Sequence, residues 1–130
     1  MSRALWQKLG YTPETVAVLD GAPDHYGRLV AGLPEAATFT DDLDARPTLV
    51  HLFATERAGL AAKLAVYADA MDRDGMLWVS WPKKSSGVET DMNLGALHEA
   101  ALPLGLVDVK VCAVDATWTA TKLMIRRELR

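Results

Sequence analysis

The stretch Asp74-Gly75-Met76-Leu77-Trp78-Val79-Ser80-Trp81-Pro82-Lys83-Lys84 runs from turn to strand to basic loop without a break. Asp-Gly is a turn pair. Residues 76–81 are nearly all apolar, the pattern of a strand covered on both faces rather than the alternation of a half-exposed one. Pro82 stops further pairing because it has no amide hydrogen to donate. Trp78 and Trp81 fall on opposite faces of such a strand, so both are expected in the core. Ser80, between them, has no base beside it in sequence.

Upstream, residues 56–71 carry Leu60, Leu64 and Tyr67 at helical spacing, flanked by Ala61, Ala65 and Ala68. Residues 48–54 and 15–20 are further apolar strands. Between them the sequence predicts a short helix over 24–31, ended by Gly32 and Pro34, and a short strand over 36–40 whose direction stays open. Residues 41–47 are too few for a helical crossover, so that link is expected to return as extended chain. A first helix is expected over 2–9, capped by Ser2. Downstream, Asp91 is expected to cap a helix over 92–101. Residues 106–114 and 117–126 then form a hairpin, because the Asp115-Ala116 link allows only an antiparallel return. The order gives an α/β fold: a three-layer Rossmann-like sandwich with a mainly parallel sheet and an antiparallel C-terminal strand. The strands starting near Thr15, Thr48, Met76 and Leu106 are expected to be parallel neighbours.

The 130 residues fit a single α/β domain over 1–130. Net charge is −3, with no basic run to track a phosphate backbone, so nucleic acid is not expected. No stretch has the length of a membrane span. The lone Cys112 suits the cytoplasm and reads as a packed structural thiol. His25, His51 and His98 lie on three different elements without ligand-spaced partners, so no metal site is expected. His51, mid-strand in an apolar run, reads as a core histidine. There is no P-loop and no Gly-x-Ser-x-Gly elbow.

Over residues 45–127 the succession of strand, helix, "Asp-Gly-Met-Leu-Trp-Val" strand, helix, "Gly-Leu-Val-Asp-Val" strand and antiparallel return resembles the second half of the class I methyltransferase fold. Residues 76–84 and 102–118 also resemble a family of small bacterial proteins grouped as a domain of unknown function. The methyltransferase resemblance implies a glycine-rich cofactor turn after the first strand, with an acidic residue further on for the ribose. Here the turn is Asp20-Gly21-Ala22-Pro23-Asp24-His25-Tyr26-Gly27, with Pro23 between its glycines. Asp41 and Asp42 fall at the acidic position and read as a solvated turn. The helix and strand that follow the second strand in that fold are missing. The expectation is a truncated fold that holds no cofactor and does not take adenosylmethionine in the usual pose.

Ligands of parallel α/β sheets bind outside the carboxyl ends of the strands. That rule selects Asp20, Gly21, His25 and Tyr26 after the first strand. It also selects Lys83, Lys84, Ser85 and Ser86 after the Trp-rich strand, and Asp115 with Trp118 at the hairpin. Two ammonium groups and two hydroxyls before Gly87 suit an oxyanion. The expected function is a non-catalytic module binding a small anionic molecule or a protein. Two alternatives stand beside it. One is a small-molecule enzyme using Lys83 or Lys84 for charge and Asp20 or His25 as acid and base. The other is a homo-oligomer whose interface is the functional surface.

Overall fold

The computed structural model describes residues 3–130. Its strands are β1 (Val16–Asp20), β2 (Thr38–Phe39), β3 (Leu49–Phe53), β4 (Met76–Pro82), β5 (Leu106–Ala113) and β6 (Trp118–Ile125). Its helices are α1 (Leu5–Lys8), α2 (Tyr26–Leu29), α3 (Leu60–Ala70) and α4 (Leu94–Ala101). The strands form one sheet in the order β2-β1-β3-β4-β6-β5. β1, β2, β3 and β4 are mutually parallel, and β6 runs antiparallel to both β4 and β5. The mainly parallel Rossmann-like sandwich is as expected. Among the described residues no helix is long and apolar enough to cross a membrane.

One expectation is overturned. The strand at Leu106 is not a neighbour of the one at Met76, because β6 lies between them. Burial follows the order. β6 presents Ala120, Thr121, Leu123 and Ile125 as buried residues, whereas β5 exposes Asp108, Val109, Lys110 and Val111. By composition β5 is no less apolar than β6, so the order is not set by apolar content; what distinguishes the rim strand is that it carries both Asp108 and Lys110. At Val109 the ladder slips: Asp108 pairs with Leu123 and Lys110 with Lys122, leaving Val109 as a bulge.

Four local boundaries differ for identifiable reasons. α3 starts at Leu60 because Gly59 before it adopts a left-handed conformation. α4 is capped by Asn93, whose Oδ1 accepts the Ala96 amide at 2.8 Å, while Asp91 instead accepts the Arg57 amide. The link over 41–47 contains one 3-10 turn, Leu43–Ala45, whose N-cap Asp42 accepts the Asp44 amide at 2.9 Å. It joins strands that are not neighbours, since β1 lies between β2 and β3. The helix expected over 24–31 is only the single turn of α2. The Ser2 cap lies outside the described residues, and α1 follows Ala4, whose amide donates to the Gln7 side chain.

α3 and α4 cover one face of the sheet, packing on Val18, Val50, Leu52, Leu77, Val79 and Trp81. The other face carries Ala17, Leu49, Phe53 and Trp78 under the short α1 and α2 segments. The two tryptophans are thus buried on opposite faces. The Trp78 indole donates to the Leu9 carbonyl at 2.7 Å, which satisfies its buried N–H. Where the helical cover thins out, the Lys122 ammonium lies 5.9 Å from the Trp78 ring centre.

Candidate functional site

The carboxyl ends of β1, β3 and β4, together with the β5–β6 hairpin, make one edge. β1 ends at Asp20, and the chain turns sharply at Gly21 (φ +70°), where an added Cβ would lie 2.9 Å from the Phe53 carbonyl oxygen. This is the close backbone approach that requires glycine. The amide of Tyr26 then bonds the Pro23 carbonyl, and the Arg28 amide bonds that of His25. These two bonds lead the turn into α2.

Asp20 faces α3. Its two oxygens accept from the Tyr67 hydroxyl at 2.5 Å and from the Lys63 ammonium at 3.2 Å. Partial burial and the Asp20 carboxylate both hold the Tyr67 hydroxyl above its ordinary pKa, so it stays a donor.

His25 reaches across the edge. Its Nε2 lies 3.2 Å from Asp115 Oδ2, with side-chain exposures of 36% and 24%. In strand order β3 and β4 lie between the elements that carry this pair. Asp115 Oδ1 accepts the amides of Thr117 and Trp118, both at 2.8 Å. Burial alone would raise the Asp115 pKa. The Trp118 amide, the His25 ring and the Thr117 amide outweigh it, and the carboxyl is held below the usual carboxylate range. Four residues link the strands here instead of two, and this Asp-centred turn makes the longer link.

Tyr26 points inward. Its hydroxyl lies 2.7 Å from the Tyr11 hydroxyl and 2.9 Å from His51 Nδ1. His51 Nε2 lies 2.7 Å from the Ser80 hydroxyl. The four side chains form one buried hydrogen-bonded chain, and the His51 ring also stacks on Phe53 at 4.3 Å. Burial lowers the His51 pKa to about 3 and, against a smaller opposing effect of Tyr26, raises that of Tyr11 to about 12. His51 is the core histidine expected. Its partners were invisible in sequence, because 25 and 29 positions separate it from Tyr26 and Ser80. Ser80 does have a base beside it, but neither residue is reached by solvent.

Lys83 and Lys84 follow β4 directly. Lys83 is half-buried, its amide donating to the Thr117 carbonyl at 2.7 Å, and Lys84 and Ser85 are exposed. Ser86 is committed to the loop: its hydroxyl donates to the Lys83 carbonyl and accepts the Val88 amide. Trp118 meets Phe53 edge-on at 5.0 Å and closes the hairpin end. A cleft of about 200 Å³ beside Phe53, Thr55, Glu56 and Lys63 opens on the same edge. A cleft of about 290 Å³ at the end of β2 is lined by Leu19, Phe39, Thr40 and Asp41. Among the described residues no three His, Cys, Asp or Glu side chains cluster as a metal would need.

No family model matches the chain, and no curated protein sequence matches it. Solved structures do resemble it. A SAM-dependent methyltransferase from Aquifex aeolicus is 11% identical with a TM-score of 0.65, over 92% of this chain and 86% of that one. The 1,6-didemethyltoxoflavin-N1-methyltransferase of Burkholderia thailandensis, solved with S-adenosylhomocysteine, is 13% identical with a TM-score of 0.60, over 94% and 75%. A precorrin-6y C5,15-methyltransferase from Geobacter metallireducens is 10% identical with a TM-score of 0.62, over 90% and 83%. The likeness is one of fold. The residues after β1 do not fit adenosylmethionine as a glycine-rich cradle does: Pro23 interrupts the glycines and offers no amide, and Asp20 is taken up by α3. At the acidic position Asp42 is used as a cap, and of the two acids it is Asp41 that lines the β2 cleft. The chain has a truncated, Rossmann-like fold of the class I methyltransferase kind.

Proposed function

We propose that this chain is a non-catalytic binding module that takes the anionic group of a small molecule at the carboxyl edge of a reduced methyltransferase fold. One observation carries the proposal. Of the basic side chains on that edge, Lys63 is paired with Asp20, His25 with Asp115 and Arg57 with Glu99. Lys83 and Lys84 have no ion-pair partner among the described residues. The uncompensated positive charge of the edge is therefore in this loop, beside the exposed Ser85 hydroxyl. The lack of catalysis rests on the carboxylates. Asp20 and Asp115, two of the acids among the turn residues of this edge, are both held by two or more donors that serve the fold.

The test is a thermal-shift screen of nucleotides, sugar phosphates, dicarboxylates and adenosyl cofactors, followed by calorimetry on the hits. A Lys83→Ala, Lys84→Ala double variant is expected to keep the fold and to weaken an anionic hit by about 1–3 kcal/mol, the range for charged hydrogen bonds. Unchanged affinity in the double variant would reduce the loop to a solvated turn. Micromolar binding of adenosylmethionine with turnover of its methyl group would replace the binding module with an enzyme.

A further inference from the structure

The loop that carries Lys83, Lys84 and the exposed Ser85 is joined through backbone to a turn that holds a carboxylate. Lys83 donates its amide to the Thr117 carbonyl at 2.7 Å, and Thr117 donates its own amide to Asp115 Oδ1 at 2.8 Å. The Asp115 carboxylate is therefore fastened to the same turn that anchors the basic loop. It cannot swing away, because Trp118 holds the same oxygen through a second amide at 2.8 Å. A fixed carboxylate beside an anion site repels the anion that the lysines attract. The side chain that opposes this charge is His25, which arrives from β1 and places Nε2 3.2 Å from the other carboxylate oxygen, Oδ2.

We propose that His25 is a specificity-determining residue of the Lys83 loop: it masks Asp115, and so lets an anionic group settle where the bare carboxylate would turn it away. The inference rests on the anion-binding reading given above. It assigns the two halves of the bridge opposite signs. Asp115 is inhibitory, and His25 is permissive only because Asp115 is there. His25 does not touch the anion. Its ring is held on Oδ2 of the carboxylate, while Oδ1 accepts the amide of Thr117, whose carbonyl anchors the loop. The masking is the work of a ring N–H donated to the carboxylate. The next residue, Tyr26, is separately anchored on Tyr11 and His51.

Inorganic phosphate is a suitable probe, read by the amide chemical shifts of residues 84–87 in four proteins: the unaltered chain, Asp115→Asn, His25→Ala and the double variant. Asparagine keeps an oxygen for the Thr117 and Trp118 amides, so the turn is preserved while the charge goes. Asp115→Asn is expected to tighten phosphate about two- to fivefold, the scale of one exposed charge–charge interaction. His25→Ala is expected to loosen it by a similar factor, and the double variant to match Asp115→Asn alone. That non-additivity identifies action through Asp115. Equal loosening by His25→Ala in both backgrounds overturns the inference, as does phosphate binding that is the same in all four proteins; either result leaves the Lys83 loop standing as an anion site. No phosphate-induced shift in any of the four removes the loop reading and the inference together.

Discussion

His51 Nε2 and the Ser80 hydroxyl meet at 2.7 Å in the middle of the sheet, where neither side chain is reached by solvent. The imidazole is neutral there, held between Ser80 and Tyr26, and its pKa falls from 6.5 to about 3. The unfolded chain takes up this proton below pH 6.5 and the folded chain does not. Stability from this site is thus complete above pH 6.5 and lost as pH falls from there toward 3, with a slope approaching about 1.4 kcal/mol per pH unit. Urea unfolding at pH 7, 6 and 5 should show that slope in the unaltered chain. The slope should shrink in His51→Gln, which keeps polar atoms but does not titrate. Equal slopes in the two proteins would show that the site is not dry.

Tyr67 is expected to act through Asp20 and not through its ring. Tyr67→Phe keeps the packing and removes the 2.5 Å bond to a carboxylate. A hydrogen bond to a charged group is worth about 1.5–3 kcal/mol when buried, and this one is partly open to solvent, so about 1 kcal/mol is expected. Chemical denaturation measures it. No loss would leave Asp20 free for another role.

Two glycines close together in sequence should respond oppositely to alanine. Gly21 has φ +70° and would set a Cβ 2.9 Å from the Phe53 carbonyl oxygen, so Gly21→Ala should cost about 1–3 kcal/mol. Gly27 lies inside α2, and a Cβ there meets nothing within 4 Å, so Gly27→Ala should stabilise by about 0.5–1 kcal/mol. Thermal unfolding of the two variants decides the point, and a stable Gly21→Ala would mean that the turn after β1 has another conformation.

Cys112 should be inert in the folded protein. It is only 6% exposed, and burial raises its pKa despite the nearby Lys8 and Lys110 ammonium groups. Thiolate is the reactive form, so maleimide labelling at neutral pH should be slow until denaturant is added. Rapid labelling of the native chain would place Cys112 at the surface.

The parallel order of β1, β3 and β4 was legible in sequence, because continuous apolar runs such as Leu77–Trp78–Val79 carry that information locally. The place of β6 was not: both hairpin strands are apolar enough for the inner position, so neither run by itself says which of them pairs with β4. The same limit applies to the edge. Loop membership at Asp20, Lys83 and Asp115 followed from the strand ends. The His25–Asp115 bridge joins residues 90 positions apart, and the Tyr11–Tyr26–His51–Ser80 chain draws on four segments. Asp91 and Asn93 show a finer failure. Both are good caps by composition, and the helix took Asn93 because Asp91 was already bound to the Arg57 amide.

The bulge at Val109 also bears on what the sheet does beyond its own rim. A long outer strand with regular unpaired amides is a template on which further strands add and fibrils grow. β5 has the length for that, but its spacing is broken where Asp108 and Lys110 are thrown onto opposite sides. His98 Nε2 approaches Asp108 to 3.2 Å on the α4 side, without the alignment of a hydrogen bond. At the opposite rim β2 pairs through only two residues. A foreign strand arriving at either side finds no continuous register to copy, so the exposed valines of β5 can stand at the surface without seeding a polymer.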